Sequence, residues 1–370
     1  MINKKCLLDS FLQLVCIDSP TFKERPIGDF LTLQLKKLGC EVSEDDAGKT
    51  NNGNCGNIIA TLKATKKDAP CLLLSAHMDC VQPCLGVKPQ LKDGIIASDG
   101  TTILGADDKA GIAAILEALK MLKEQALPHG EIKVAFCIAE EGGLNGSKNI
   151  DPIAIAADFG YVLDSSGKPG QIIVQAPGQN KIDLKIHGKA AHAGLEPEAG
   201  INAIIAAGKI LTQLPQGRID EQTTCNIGTI KGGTATNIVP DLVEIKAEAR
   251  SLDEKKLLSL TEKIKLSIEQ AAQLYQVKAE VSIEKAYSPF ILNSTSQVVQ
   301  SAEKAAITIG LTVDITSTGG GSDANFFNSY GIPCAVLGIG MQKVHTTQEF
   351  ILEEDLYNCA AWLLQIIKSI

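Results

Sequence analysis

Four short apolar runs, Leu72-Leu73-Leu74, Val134 to Ile138, Tyr161 to Leu163 and Cys334 to Leu337, each lead into a segment carrying a carboxylate or an imidazole. Runs this short and this apolar fit strands. After Asp107 the period changes to 3.6: Ile112, Ile115, Leu116, Leu119 and Leu122 fall on one face of a helix that opens at the pair Asp107-Asp108. Strands alternating with helices define an α/β chain. In open α/β sheets functional groups gather outside the carboxyl ends of the strands, so residues far apart in sequence can share one crevice. The residues expected to do so here are His77 and Asp79, Asp107, Glu140 and Glu141, Asp164 and His345. Imidazoles with several carboxylates suit a divalent cation such as zinc. The chain reads as a metallohydrolase.

With 370 residues the chain exceeds the roughly 250–300 that one core usually serves, so two domains are expected. Helices are predicted over 4–17 and 26–38, with the strands beginning at Gly56-Asn57-Ile58-Ile59-Ala60. Turn signals at Pro177-Gly178 and Ser288-Pro289 bracket a segment of different rhythm. Its order is strand 181–187, helix 199–213, strands 224–231 and 239–250, helix 254–274, strand 277–286. That β-α-β-β-α-β order is the split, ferredoxin-like arrangement. The expected architecture is therefore a mixed-sheet catalytic domain, residues 1–177 and 290–370, with helices on both faces. Residues 178–289 form an inserted α+β lid or dimerisation domain. A last helix is predicted at 353–368.

The net charge of −8 argues against nucleic acid or an anionic membrane surface, both of which call for a basic patch. No run approaches the ~20 apolar residues of a membrane span, and the opening residues show no cleavable leader pattern. The eleven cysteines are irregularly spaced with no C-x-x-C; Cys71, Cys137 and Cys334 lie in apolar runs, where free Cys acts as a small hydrophobe. A reducing, cytoplasmic setting is expected rather than a disulfide framework.

Taken singly, each candidate has an ordinary explanation. A His at a strand end is usually structural, acids at a helix start answer the helix dipole, and adjacent glutamates at a turn are usually solvated. The functional alternative gives His77 a metal, with Asp79 taking its other ring N–H. Glu140 and Glu141 would then divide the roles of base and ligand. Of the five histidines, His129 sits in the turn Pro128-His129-Gly130 and is expected to face solvent, and His187 falls on the polar phase of its strand. His192, in the bend Ala191-His192-Ala193-Gly194, reads from residue type alone as an exposed loop residue.

The joint pattern His77-x-Asp79, Asp107-Asp108, Glu140-Glu141-x-Gly143-x-x-Gly146-Ser147, Asp164 and His345 closely resembles the dinuclear zinc metallopeptidases. That family includes peptidase T, carboxypeptidase G, the aminoacylases and succinyl-diaminopimelate desuccinylase. The resemblance spans the chain in order and is greatest to the peptidase T-like members, as in Ser19-Pro20-Thr21-Phe22-Lys23-Glu24-Arg25. It implies a zinc-exopeptidase-like fold and two divalent cations per chain, zinc first, with cobalt or manganese able to substitute. Asp107 would bridge them, with His77 and Asp164 completing one site and Glu141 and His345 the other. The reaction implied is cleavage of short peptides by a metal-bridged water with Glu140 as general base and Asp79 behind His77. His192 would reach the active site of a partner subunit in a lid-mediated homodimer. Asn237, Arg250 and the loop residues Gly320, Gly321 and Ser322 would hold substrate.

One departure stands out. Peptidase T opens that loop with an arginine for the substrate carboxylate, and here the aligned residue is Gly319. The loop still leads into a helical start at Ala324, whose N–H groups could hold an anion. Without the guanidinium fork, an acyl-amino-acid amidohydrolase or a carboxypeptidase stays open beside the tripeptidase. A metal-dependent binding protein without catalysis would show an eroded base or ligand, whereas all six positions are intact.

Overall fold

The computed structural model describes residues 2–370, and the chain forms two compact units. The first comprises the chain through Gln175 with Ile291–Thr318 and Ser322–Ile370; the second comprises Ala176–Phe290 with Gly319–Gly321.

The first unit is built on a mixed sheet with helices on both faces. Its centre is four parallel strands in the order Ile132–Cys137, Leu72–His77, Phe159–Ser165, Cys334–Gly338. Antiparallel strands extend it on both sides, Ile58–Leu62 and Glu41–Glu44 beyond the first, Gln171–Ala176 beyond the last. Leu72–His77 is buried at every position, as expected of a strand covered on both faces. Register then carries chemistry: His77 lies level with Cys137, three residues before Glu140, and extending the Ser75–Val162 pairing by two residues sets His77 level with Asp164.

The helix Ala106–Glu124 departs from a one-faced reading, since almost every residue from Ala106 to Leu119 is buried. Helices Lys4–Val15 and Glu353–Ser369 pack against it in addition to the sheet, so more than one face is covered. Its first turn is irregular: Asp107 (ψ 102°) and Asp108 (ψ 32°) are not helical, and the peptide between them is cis. Gly111 is required by close approach, because a Cβ there would collide with the Asp108 carboxylate and with the Leu163 carbonyl one residue before Asp164.

A separate three-stranded sheet, Gln90–Lys92, Ile95–Ala97 and Phe350–Leu352, fixes the chain after His345. Among the described residues no helix is long and apolar enough to cross a membrane, and all eleven cysteines are free. His129 corrects the sequence reading: it is buried, its Nδ1 is 2.7 Å from the Gly130 carbonyl, and its N–H donates to Thr65 Oγ1. The turn holding it packs onto the end of a strand instead of projecting into water.

The second unit is a five-stranded antiparallel sheet in the order Gly217–Asp220, Thr223–Gly232, Leu242–Ser251, Gly178–His187, Lys278–Tyr287. Apart from the first strand this is the ferredoxin-like order. Alternate residues Ile182, Leu184 and Ile186 share a core with Val243 and Ile245, with Ala203, Ala206, Ala207 and Ile210 of one helix and with Ile264 and Ile268 of the other. Two details differ from expectation. Gly217–Asp220 adds a short edge hairpin that its polar sequence did not signal. The helix starts at Ala203, not 199, because Asn202 accepts the N–H groups of Ile204 and Ile205 as its cap.

Candidate metal centre

The side chains of the first unit's cluster are delivered by strand ends, a helix start, one turn that carries both Glu140 and Glu141, and a loop. His77 closes its strand, buried to 2% exposure, with Nε2 3.0 Å from Asp107 Oδ1 and 4.0 Å from Asp164 Oδ1. His345 comes from a loop after Cys334–Gly338 and is exposed, with Nε2 3.2 Å from Asp107 Oδ2 and 2.8 Å from Glu141 Oε1. The two oxygens of Asp107 thus face two different imidazoles. Three groups have donor atoms within 4.8 Å of one another: His77, Asp107 and Asp164; Asp107, Glu141 and His345; His77, Glu140 and Glu141. Donors 2.8–4.0 Å apart have the spacing expected around a cation about 2.0–2.2 Å from each.

Asp79 does more than orient a ring. His77 Nδ1 lies 3.0 Å from the Asp79 carbonyl and 3.5 Å from its carboxylate. That carboxylate also accepts the backbone N–H groups of Glu140 (2.9 Å) and Glu141 (3.3 Å). One fully buried side chain therefore sets both the imidazole and the turn that carries two acids. The turn opens at Ala139 with φ +47°, and His345 itself has φ +63°. Left-handed backbone costs a residue with a Cβ about 1–2 kcal/mol, so the surroundings must hold both.

Electrostatics favour cations here. Burial alone would raise Asp107, yet the hydrogen bonds from His345 and His77 hold it well below the usual carboxylate range. Burial first, then the charge of neighbouring acids, pushes Asp164 and Glu140 well above theirs. His345 is pushed up to about 10 by its hydrogen bonds to Asp107 and Glu141. His77 also rises, its hydrogen bonds to Asp107 and Asp79 outweighing burial. The acids outnumber the imidazoles, and the cluster takes up protons where divalent cations would neutralise it; bound metal must displace them.

In the second unit, His192 is exposed and its Nδ1 accepts the N–H groups of Gly194 (3.2 Å) and Leu195 (3.1 Å). That leaves Nε2 as the ring's N–H, a donor open to solvent. The segment is held by a bridge between His192 and Ile238 and by the Asn237 carbonyl, which accepts Ala193 N–H at 3.0 Å. Arg250 already carries a two-pronged pairing with Glu248, at 2.9 and 3.1 Å, and reaches the Gly319 carbonyl at 3.5 Å. Gly321 packs so close to the Tyr287 ring that a Cβ would collide. In the first unit, Ser322 donates its N–H to Asn325 Oδ1 at 3.0 Å, and its buried hydroxyl has no hydrogen-bond partner among the described residues.

Sequence reasoning missed a set of buried carboxylates behind the cluster. Asp108 Oδ2 accepts His77 N–H at 3.2 Å, Glu24 Oε1 accepts Ala139 N–H at 3.1 Å, and Glu349 accepts Asp107 N–H at 3.0 Å. Burial, then the charge of Asp79, raises Glu24 to about 7. Lone acids in polar runs carry no periodic signal: Asp108 was noticed beside Asp107 and Glu24 only within a motif, neither with this role, and Glu349 not at all.

An open α/β sheet with two imidazoles and acids at its strand ends defines a metal-dependent hydrolase. The chain belongs to peptidase family M20/M25/M40, whose profile matches residues 73–369. It is 47% identical over 369 residues to the uncharacterised protein YqjE of Bacillus subtilis strain 168, spanning 100% of this chain and 99% of that one. Among solved structures it is similar to aminopeptidase PepT of Bacillus cereus ATCC 10987, at 45% identity and TM-score 0.92, covering 99% of this chain and 98% of the other. A tripeptidase of Staphylococcus aureus Mu50 is similar at 44% identity and TM-score 0.96, covering 100% and 99%. The expectation of a peptidase T-like member of a metallopeptidase family therefore holds, and the protein is a peptidase.

Proposed function

We propose that the protein is a dinuclear exopeptidase that removes residues from the amino end of short peptides, tripeptides included. One observation carries the reading: Asp107 presents one oxygen to His77 and the other to His345, 3.0 and 3.2 Å away. His77, Asp107 and Asp164 would hold one cation and Asp107, Glu141 and His345 the other, zinc by preference. Bound there, the cations supply Lewis acidity and lower the pKa of an attacking water. Glu140 accepts that water's proton and delivers it to the departing amine. Asn237, Arg250 and the loop residues Gly320, Gly321 and Ser322 hold the peptide, and the Nε2–H of His192 is offered to the developing oxyanion. The names of the solved relatives, aminopeptidase and tripeptidase, support the substrate class.

The inserted unit is proposed as a lid that pairs two copies. Its strand Thr223–Gly232 is matched by the edge hairpin only as far as Cys225. Beyond it Ile230 is 54% exposed, and Ile204 and Ile205 of the nearby helix are 41% and 56% exposed. An open edge beside exposed isoleucines suits an isologous interface. Free cysteines throughout support a cytoplasmic setting.

Elemental analysis of the purified enzyme should find two equivalents of divalent metal per chain. Chelation should abolish turnover and His77→Ala should lower the metal content. Full activity with one equivalent or none would overturn the dinuclear reading. The Gly319 carbonyl where peptidase T presents a guanidinium favours one second reading, an acyl-amino-acid amidohydrolase or carboxypeptidase. Faster hydrolysis of N-acetylated amino acids than of free tripeptides would select it.

A further inference from the structure

Glu349 stands four residues after His345 and is only 1% exposed. Its Oε2 accepts the N–H groups of Leu104 (2.9 Å) and Gly105 (2.8 Å), and its Oε1 accepts that of Asp107 (3.0 Å). Three donors converging on one buried side chain call for a carboxylate, which has acceptor capacity on both oxygens; an amide would turn its own NH₂ toward one of them. A carboxylate taken out of water is costly unless so compensated.

The backbone on either side of Glu349 is equally constrained. Gln342 and Phe350 exchange hydrogen bonds of 2.8 and 3.1 Å, closing the loop that carries His345 at its tip. Glu349 N–H donates to the Thr346 carbonyl at 3.1 Å, and the next residue starts the strand Phe350–Leu352 paired with Ile95–Ala97. One side chain thus joins the closed loop of His345 to the turn of Asp107. His77 is held differently, by Asp108 at its N–H and by Asp79 at its ring.

We propose that Glu349 is a positioning residue that sets the distance between Asp107 and His345, and through it the affinity of the cation at Asp107, Glu141 and His345. The assignment of that cation rests on the dinuclear reading above; the backbone contacts do not. Losing Glu349 should leave the cation at His77, Asp107 and Asp164 comparatively unaffected, because Asp108 and Asp79 still hold the His77 side.

The test compares full-length Glu349→Gln and Glu349→Ala with Glu117→Gln, which alters another buried carboxylate that accepts a backbone N–H, from Asn3 at 3.1 Å. In metal-free protein, hydrogen–deuterium exchange over 104–107 should speed up in both Glu349 variants and stay unchanged in Glu117→Gln. Should Glu349→Ala fail to fold, Glu349→Gln alone serves. In zinc titrations, one of two binding events should lose about 10-fold or more in affinity while the other changes little. Activity of Glu349→Gln at limiting zinc should fall and recover with excess zinc, at unchanged KM. Unaltered exchange, or equal weakening of both cations, would overturn the proposal. A wild-type chain that binds one cation would overturn the dinuclear reading instead, and the exchange result would still decide whether Glu349 holds the Asp107 turn.

Discussion

Glu140→Gln is expected to lower kcat by roughly 10²- to 10⁴-fold, the usual contribution of a positioned acid–base group, with metal content close to wild type. The substitution keeps the side chain's size and removes only its capacity to take a proton. The turn around it should survive, because Asp79 and Glu24 hold the backbone N–H groups of residues 139–141 and do not depend on the Glu140 carboxyl. Elemental analysis beside steady-state kinetics separates the outcomes. Near-normal turnover, or loss of both metals together, would show that Glu140 has another role.

His192 is expected to act across a dimer, and the effect is all or none. Alone, His192→Ala should lower kcat by about 10²- to 10³-fold if its Nε2–H stabilises the oxyanion. Glu140→Ala should also be inactive. When the two homodimers are mixed in equal amounts and exchange subunits, each mixed dimer regains one complete site. That site has Glu140 and the metal ligands of one chain and His192 of its partner, so random pairing restores about a quarter of all sites. If His192 serves its own chain, no site in any pairing is complete. Mixed dimers confirmed by mass, yet without recovered activity, would rule out action in trans. Lys substituted for Ile230 should in turn shift the protein toward monomer and abolish the recovery, since a charge on the open strand edge opposes pairing.

What could be read from the sequence was whatever leaves a periodic or chemical trace within one element. Four apolar runs and one 3.6-residue repeat were enough to place four central strands and the long helix; that the strands run parallel came from the structure. The order of elements between Pro177 and Ser288 was enough to recognise the ferredoxin-like unit. Of the residues drawn together in the structure, His77, Glu140, Glu141 and Asp164 follow from the rule that functional groups gather at strand ends, while Asp107 at a helix start and His345 in a loop joined them through the family resemblance. Where the reading missed, the missing information was not local. The hairpin strand Gly217–Asp220 is exposed at every position and has no apolar phase to betray it. The long helix shows its apolar stripe, but nothing in its own sequence says that two further helices will pack against it as well.

The sequence by itself determined the fold class, the family and the side chains able to hold metal, because burial period and ligand chemistry are properties of short segments. Only the tertiary structure decided how those side chains are held. Glu349 accepts N–H groups 242–245 residues away, and Asp108, Asp79 and Glu24 likewise act on backbone brought near by folding. Every residue has an N–H, so a carboxylate that binds one leaves no recognisable partner in the sequence, and its role exists only once the chain has closed around it.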